Sequence, residues 1–405
     1  MADSSRLAAL EVLERCRRSG AWSSASIDAV INKYALDARQ SALTTALSLG
    51  VMQNSALCDF YIDAYSASPK IEPKVRDILR EAVYQLLFMD KIPSSAAVNE
   101  AVALSKRLGF SRASGFINAV LRKICANLDN LPEIPKDDEA QYLSIKYSHP
   151  KWLTEKIIAE KGFEFAECFL KANNAAPETC IQVNTLKTDT YSLLEKFRAA
   201  NIECRKHEWL TDAIVVSGNV TKLPGFDEGL FYVQDPAAKS AVCIADIKPG
   251  MSILDACAAP GGKSFAAAIK MGNAGEITSC DLHEKKLNLI KSGAERLGIS
   301  ILSTEAFDPR KPREDKFDLV IADVPCSGLG VIRKKPEIRL KSEHELEDLP
   351  EIQSAILNNV SKCVKVGGEL IYSTCTVLKA ENEERPAHKA ASYCPFSTVR
   401  IAERK

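Results

Sequence analysis

The sequence predicts a multidomain chain: an all-α N-terminal domain, a small α+β middle subdomain and a C-terminal doubly wound α/β domain. Three observations predict it. Apolar residues recur at helical spacing through residues 1–127. Beyond Gln234, short apolar runs alternate with helical stretches, the pattern of a parallel sheet covered on both faces. Two of those runs, Val320-Ile321-Ala322 and Glu369-Leu370-Ile371-Tyr372, lead into cysteine-bearing loops, Asp323-Val324-Pro325-Cys326 and Ser373-Thr374-Cys375-Thr376. Open α/β sheets hold their ligands at the carboxyl ends of strands. The pattern therefore delivers a carboxylate and two thiols where a site belongs.

The chain has 405 residues, enough for two or three domains, and 46% of them are hydrophobic, enough for a sizeable core. Formal net charge is zero, so no global field draws in nucleic acid or membrane, and any nucleic-acid contact must use local patches. No apolar run is long enough to cross a bilayer, and residues 1–18 are polar and helix-like rather than a secretory signal. Thirteen cysteines, an odd number scattered without a Cys-x-x-Cys pair, argue against a disulfide framework or a zinc site. Reduced thiols in the cytoplasm fit that usage. No metal is expected, and a monomer is.

Taken in order, Ala9, Val12, Leu13 and Cys16 fall on one helix face, and Ile78-Leu79, Val83 and Leu86-Leu87 repeat the spacing. Residues 1–126 carry 16 Lys+Arg and 12 Asp+Glu, a net of +4, which by itself is an ordinary solvated face. The expected boundaries are a helical domain over 1–128, a polar linker with two prolines over 129–140, and the α+β subdomain over 141–235. Strands are expected at 181–187, 213–216 and 230–233, with a helix at 191–200. His149 and His207 stand alone, so structural or surface roles are expected for them. The third domain, 236–405, has strand candidates at 252–255, 276–281, 301–305, 319–322 and 369–372. Helices are expected at 263–270, 284–297 and 350–364.

After the first of these strands comes Asp255-Ala256-Cys257-Ala258-Ala259-Pro260-Gly261-Gly262-Lys263-Ser264. Small residues and glycines between a strand and a helix let backbone approach a ligand closely. A phosphate-binding loop needs glycine where this chain has Cys257, and the Gly-x-Gly-x-x-Gly fingerprint is absent. What remains is a loop that holds a nucleoside without a pyrophosphate. Twenty residues after Gly261 the next strand ends in Asp281, placed to accept ribose hydroxyls. Asp308 follows the third strand candidate, placed to meet an adenine amino group. Each carboxylate alone reads as an ordinary cap. Together, at successive strand ends, they point to S-adenosyl-L-methionine.

Two resemblances add to this reading. Ser114-Gly115-Phe116-Ile117-Asn118-Ala119-Val120-Leu121-Arg122 is similar to a block of the NusB-like helical RNA-binding domain that precedes some RNA methyltransferases. The runs Asp255 to Ser264, Asp323-Val324-Pro325-Cys326-Ser327-Gly328-Leu329-Gly330 and Tyr372-Ser373-Thr374-Cys375-Thr376 resemble the signature blocks of the RNA cytosine-5 methyltransferases. The NusB-like front end singles out the RsmB (Sun/Fmu) branch, which acts on 16S ribosomal RNA. The resemblance covers the chain to about Glu384. It implies that Cys257, Ala258, Ala259, Pro260, Gly261, Gly262, Lys263, Asp281, Asp308 and Asp323 contact the cofactor. It implies as target cytosine 967 of 16S rRNA, on RNA short of the fully assembled subunit.

The chemistry explains two thiols. Carbon 5 of cytosine is a poor nucleophile, and addition of a thiolate at carbon 6 places electron density on it. A second group then assists proton removal and release. The residues themselves do not say which cysteine attacks. The resemblance assigns attack to Cys375 and release to Cys326, with Asp323 on the cytosine amino group. Buried cysteines ordinarily pack as small hydrophobes, which is the expectation for the other eleven. Five cations in nine residues after Cys326, among them Arg333, Lys334, Lys335 and Arg339, are expected to take RNA phosphates. The rival readings are the same chemistry on tRNA or another RNA, and a non-catalytic RNA-binding or assembly factor. The chain departs from the family pattern after about residue 384: only 30 residues follow Cys375, and Pro386 disfavours a continuous helix there. The expectation is a catalytic sheet without its closing strands, leaving an unpaired edge beside Cys375.

Overall fold

The computed structural model describes residues 4–68, 70–382 and 398–402. They belong to two compact units, Met1–Ala176 with Val331–Glu345, and Pro177–Gly330 with Leu346–Lys405. Among the described residues no helix is long and apolar enough to cross a membrane.

The first unit is helical: α1 (Ser4–Ser19), α2 (Ser23–Tyr34), α3 (Ala38–Gln53), α4 (Ser55–Tyr65), α5 (Pro73–Phe88), α6 (Ser94–Arg107), α7 (Ser114–Ala126), α8 (Glu139–Tyr147), α9 (Lys151–Lys161) and α10 (Phe163–Asn173). Its ends are locally specified. Asp37 and Gln40 form a reciprocal capping box at α3, and Glu72 accepts two amides ahead of Pro73 at α5. The face read from the sequence, Ala9, Val12, Leu13 and Cys16, is buried against a core that includes Ile78, Leu79 and Val83. Asp138, within the stretch read as a linker, caps α8 by accepting Gln141 N–H. Helices α8 to α10 belong to this unit, and Ser148 Oγ accepts Leu57 N–H of α4 at 3.1 Å. Within the stretch 141–235, these helices group with the first compact unit and the strands with the second, which begins at Pro177.

The second unit opens with β1 (Thr179–Val183), α11 (Thr190–Ala199), β2 (Cys204–Lys206), β3 (Ala213–Val216) and β4 (Phe231–Val233). These strands form an antiparallel sheet ordered β2-β3-β1-β4. The expected strand 181–187 stops at Val183 because Asn184 turns away. Its side-chain amide donates to Gly229 O at 2.9 Å and Leu297 O at 2.8 Å. Gly229 (φ +69°) is obligatory here, since a Cβ would overlap the Arg296 carbonyl.

The larger sheet follows: α12 (Pro236–Cys243), β5 (Ser252–Asp255), α13 (Gly262–Lys270), β6 (Glu276–Asp281), α14 (Glu284–Leu297), β7 (Leu302–Ala306), β8 (Phe317–Asp323), α15 (Leu349–Val360), β9 (Val364–Ser373) and β10 (Thr398–Ala402). Its order is β10-β9-β8-β5-β6-β7, and every pairing is parallel. Successive residues face opposite cores. Leu319 and Ile321 of β8 pack toward α13 and α14, while Val320 and Ala322 pack toward α15. That double burial is why the strand reads as an unbroken apolar run. The helix expected over 350–364 ends at Val360, and Val364 already starts β9.

The edge expected beside Cys375 is occupied. The backbone of β10 pairs with β9 from Thr398↔Glu369 to Ala402↔Ser373, which corrects the expectation of an unpaired strand there. The break in family pattern around residue 384, Pro386 included, lies outside the described residues.

Candidate active site

Strand β5 lies between β6 and β8, and chain order reverses between β5 and β8. This is the switch point at which doubly wound sheets bind ligands. Asp255, fully buried at the end of β5, accepts Ser264 Oγ at 2.7 Å, and Ser264 accepts Ser279 Oγ at 2.8 Å. Burial pushes the Asp255 carboxyl up to about 6, against the opposing Ser264 hydroxyl and Lys263 charge.

The loop Ala256 to Gly261 then folds tightly, with Ala258 N–H donating to Cys280 O and Gly261 N–H to Ala258 O, both at 2.7 Å. Gly261 adopts φ +108°, and a Cβ on it would stand 2.5 Å from the Phe265 ring. Burial, then the surrounding carboxylates, push the half-buried Cys257 thiol up. Asp281 ends β6 almost buried, with Oδ1 accepting His283 N–H at 2.9 Å. Asp308 follows β7, where Arg310 holds it with Nε at 2.9 Å and Nη2 at 2.8 Å. A small-residue loop, a helix N-terminus at α13 and an acid at the next strand end fit a nucleoside donor.

The two cysteine loops leave adjacent strands, β8 and β9, whose last pair is Asp323↔Ser373. Cys326 Sγ lies 3.1 Å from Cys375 Sγ, and Cys375 N–H donates to Cys326 Sγ at 3.1 Å. The hydrogen bond with Cys375, then burial, hold the Cys326 thiol well above its usual range. Either sulfur can donate to the other across that contact, while the Cys375 amide donates to Cys326 Sγ. Beside them, Lys263 Nζ meets Asp323 Oδ2 at 2.5 Å, and Ser373 Oγ donates to Asp323 Oδ1 at 2.5 Å. Asp323, Cys326, Cys375 and Lys263, singled out in separate blocks of sequence, thus belong to one strand-end cluster.

Sequence reasoning missed the polar residues behind the thiols: Ser327, Gln353, Thr376, Glu381 and Asn382, all buried. The available signal was Glu381-Asn382 shortly after Thr374-Cys375-Thr376, and the charged neighbours Lys379, Glu383 and Glu384 make it read as a solvated stretch.

The basic run after Cys326 is divided by burial. Lys334 and Lys335 are exposed, and the Lys335 ammonium stands 4.4 Å above the Trp22 ring. Arg333 donates to the carbonyls of Ala175 and Ala176. Arg339 is buried in the first unit, donating to Asn174 Oδ1 and approaching His149 Nε2 at 3.4 Å. Burial first, then Arg339, hold His149 well below its usual range, so Nε2 faces the guanidinium as an acceptor and Nδ1 donates to Tyr147 O. Glu337 is also buried, accepting both N–H and Oγ–H of Ser23. The expectation that Arg339 meets RNA is therefore withdrawn: its charge is enclosed, while Lys334 and Lys335 are presented and Arg333 and Lys341 are partly exposed.

Comparison with known proteins gives consistent matches across the chain. Residues 242–389 match the family described as 16S rRNA methyltransferase RsmB/F, residues 3–126 the NusB family, and residues 149–221 the RsmF/B-like ferredoxin-like domain. The chain is 36% identical over 384 residues to the probable ribosomal RNA small subunit methyltransferase B of Bacillus subtilis, covering 93% of this chain and 86% of that one. It is 32% identical to the Synechocystis protein of the same description, covering 94% and 87%. The crystal structure of PH0851 superposes with a TM-score of 0.78 at 28% identity, over 95% of this chain and 88% of that one.

Proposed function

The chain belongs to the RsmB/F family of 16S rRNA methyltransferases, and from that premise we propose that it methylates carbon 5 of a cytosine in 16S rRNA through a covalent cysteine adduct. The observation that carries the reading is the thiol pair, two sulfurs 3.1 Å apart at the ends of adjacent strands beside Asp323 and Lys263. S-adenosyl-L-methionine, held by the 257–263 loop with Asp281 on its ribose, supplies an electrophilic methyl group. Asp308, already paired with Arg310, lines the same rim.

Cys375 is the nucleophile in this reading, the role that the family resemblance gives it. The thiolate of Cys375 is the form that adds to carbon 6, and Cys326 stands 3.1 Å from it, within reach of the same ring. Cys375 Sγ bonds to carbon 6 of an unstacked cytosine, and the carbon 5–carbon 6 π pair moves toward carbon 5. Asp323 accepts the exocyclic amino group, and its ion pair with Lys263 orients that carboxylate. Once carbon 5 carries its methyl group, its proton is lost with the help of Cys326. The double bond re-forms, and the sulfur–carbon 6 bond breaks. In this reading the exposed Lys334 and Lys335 and the partly exposed Arg333 take phosphates of the bound RNA.

The test is an S-adenosylmethionine titration of the full chain, then tritium transfer to RNA with mapping of the product. Label in 16S rRNA cytosine at carbon 5, at the family position cytosine 967, is expected. Label in tRNA would move the substrate, and cofactor binding without transfer to any RNA would leave an assembly factor. Cys375→Ala is expected to form no RNA adduct and transfer nothing. Cys326→Ala is expected to accumulate an adduct that survives a denaturing gel, and trapping by the Cys375 variant instead would reverse the two roles.

A further inference from the structure

Ser327 and Thr376 each follow one of the two site cysteines directly, and both are bonded to one buried carboxylate. Glu381 Oε2 accepts Ser327 N–H at 2.8 Å, and Oε1 accepts Thr376 Oγ1–H at 3.0 Å. The two loops also meet each other, with Ser327 Oγ donating to Thr376 Oγ1 at 2.7 Å. Gln353 of α15 completes the ring: its amide donates to Glu381 Oε2 at 2.9 Å and to the carbonyl of Pro325, the residue before Cys326, at 3.0 Å. Tyr372, at the end of β9, donates to the Glu381 carbonyl at 2.9 Å. Glu381, Ser327, Thr376 and Gln353 are each at most 2% exposed, so no water shares these bonds from the surface.

The sheet does not hold the loops by itself. The β8–β9 ladder ends at Asp323↔Ser373, before either cysteine. Beyond it the backbone offers Val324 N–H to Ser373 O at 3.1 Å and Gly330 N–H to Cys375 O at 2.9 Å, one bond on each side of Cys326. The Cys326 to Ser327 stretch between those bonds is fixed by the carboxylate. We infer that Glu381 is a positioning residue that clamps the two cysteine loops to each other and so sets the distance between the thiols. The inference rests on the function proposed above for what the thiols do. The clamp itself is a matter of geometry, and its measurement needs no RNA. An ordinary buried acid would affect stability and leave the sulfur spacing alone.

The spacing is read by how fast the thiols join. In the reduced full-length chain, diamide closes a Cys326–Cys375 disulfide: each thiol gives up a proton and an electron, and the azo bond takes up both pairs to become a hydrazine. Closure is followed by the mass of the linked peptide after acid quenching and alkylation. Glu381→Ala is expected to slow closure by about tenfold or more, because displacing reacting groups by an ångström is costly. Glu381→Gln, which keeps the volume but cannot accept at both ends, and Thr376→Val, which removes one arm, are expected to fall between. Protection of the buried Cys280 and Cys363 from alkylation reports integrity of the fold and is expected to match wild type. Closure at the wild-type rate in all three variants would overturn the clamp. Should Glu381→Ala not fold, the two milder variants decide by the same criterion. A wild-type chain that closes fast yet transfers no methyl group to RNA would remove the proposed function and leave the clamp standing.

Discussion

Glu381 and Arg339 are both charged side chains withdrawn from water, one in each compact unit, and their surroundings receive them differently. Glu381 faces three hydrogen-bond donors from three separate segments, and both its oxygens are used. Arg339 donates through Nη2 to Asn174, with Asn173 O and His149 Nε2 at 3.4 Å, while Nε and Nη1 have no partner among the described residues. Burial pushes the guanidinium down to about 9. The comparison teaches that the depth of burial does not decide what a charge contributes. The number of partners meeting its hydrogen-bonding atoms does, because an orphaned donor costs its full desolvation while a satisfied one does not. Asp255 stands between them, fully buried, with Oδ2 bonded to Ser264 and its carboxyl pushed up so that ionisation is disfavoured.

Three substitutions sharpen or break that contrast. The largest effect is expected at Glu381. Glu381→Ala strands the Ser327 amide, the Gln353 amide and the Thr376 hydroxyl, and should cost about 4 kcal/mol of unit stability. Hydrogen exchange of β8 and β9 amides measures it, and a loss below about 1 kcal/mol would make the ring decorative.

Asp255 comes next and depends on pH. Its folded carboxyl prefers the proton, at about 6 against 3.8 for the ordinary group. That preference stabilises the fold fully below pH 3.8 and is lost as pH rises through about 6. Asp255→Asn does not titrate, so its advantage over wild type should open between those values and reach roughly 3 kcal/mol near neutrality. Urea unfolding at pH 4.0 and 7.5, followed by exchange of β5 amides, reads it, and a gap of equal size at both values would contradict it.

The smallest effect is expected at Arg339. Arg339→Met fills similar volume and removes two orphaned donors along with the bonds, so unfolding free energy should change by about 1 kcal/mol or less. Fluorescence of Trp22 and Trp152, both in the helical unit, follows the transition. A loss above about 3 kcal/mol would show that the guanidinium is better served than its contacts indicate.

Much of the fold was written locally. Residues 252–255, 276–281 and 213–216 were read as strands and 284–297 as a helix, and the structure has those bounds. The reason is that apolar runs, helical periodicity and caps such as Gly298 at the end of α14 act within a few residues. Asp323, Cys326 and Cys375 were legible for the same reason: each sits where a strand leaves the sheet. The stretch 129–140 carried its own cap for α8 at Asp138, and its prolines drew attention away from it.

By itself, then, the sequence determined the helical front, the parallel sheet, the glycine-rich turn from β5 into α13 and the pair of strand-end thiols. Tertiary structure alone decided which charges are enclosed. Arg339 and Lys335 are four residues apart in one basic run, yet one is buried and the other exposed. Glu337, two positions before Arg339, meets Ser23 from 314 residues away, and Arg339 meets His149 from 190 away. Glu381 joins loops whose cysteines are 49 residues apart. Periodicity and composition are properties of a window. The partner of a buried charge is a property of the closed chain, since what counts is the atom that arrives beside it when distant segments pack.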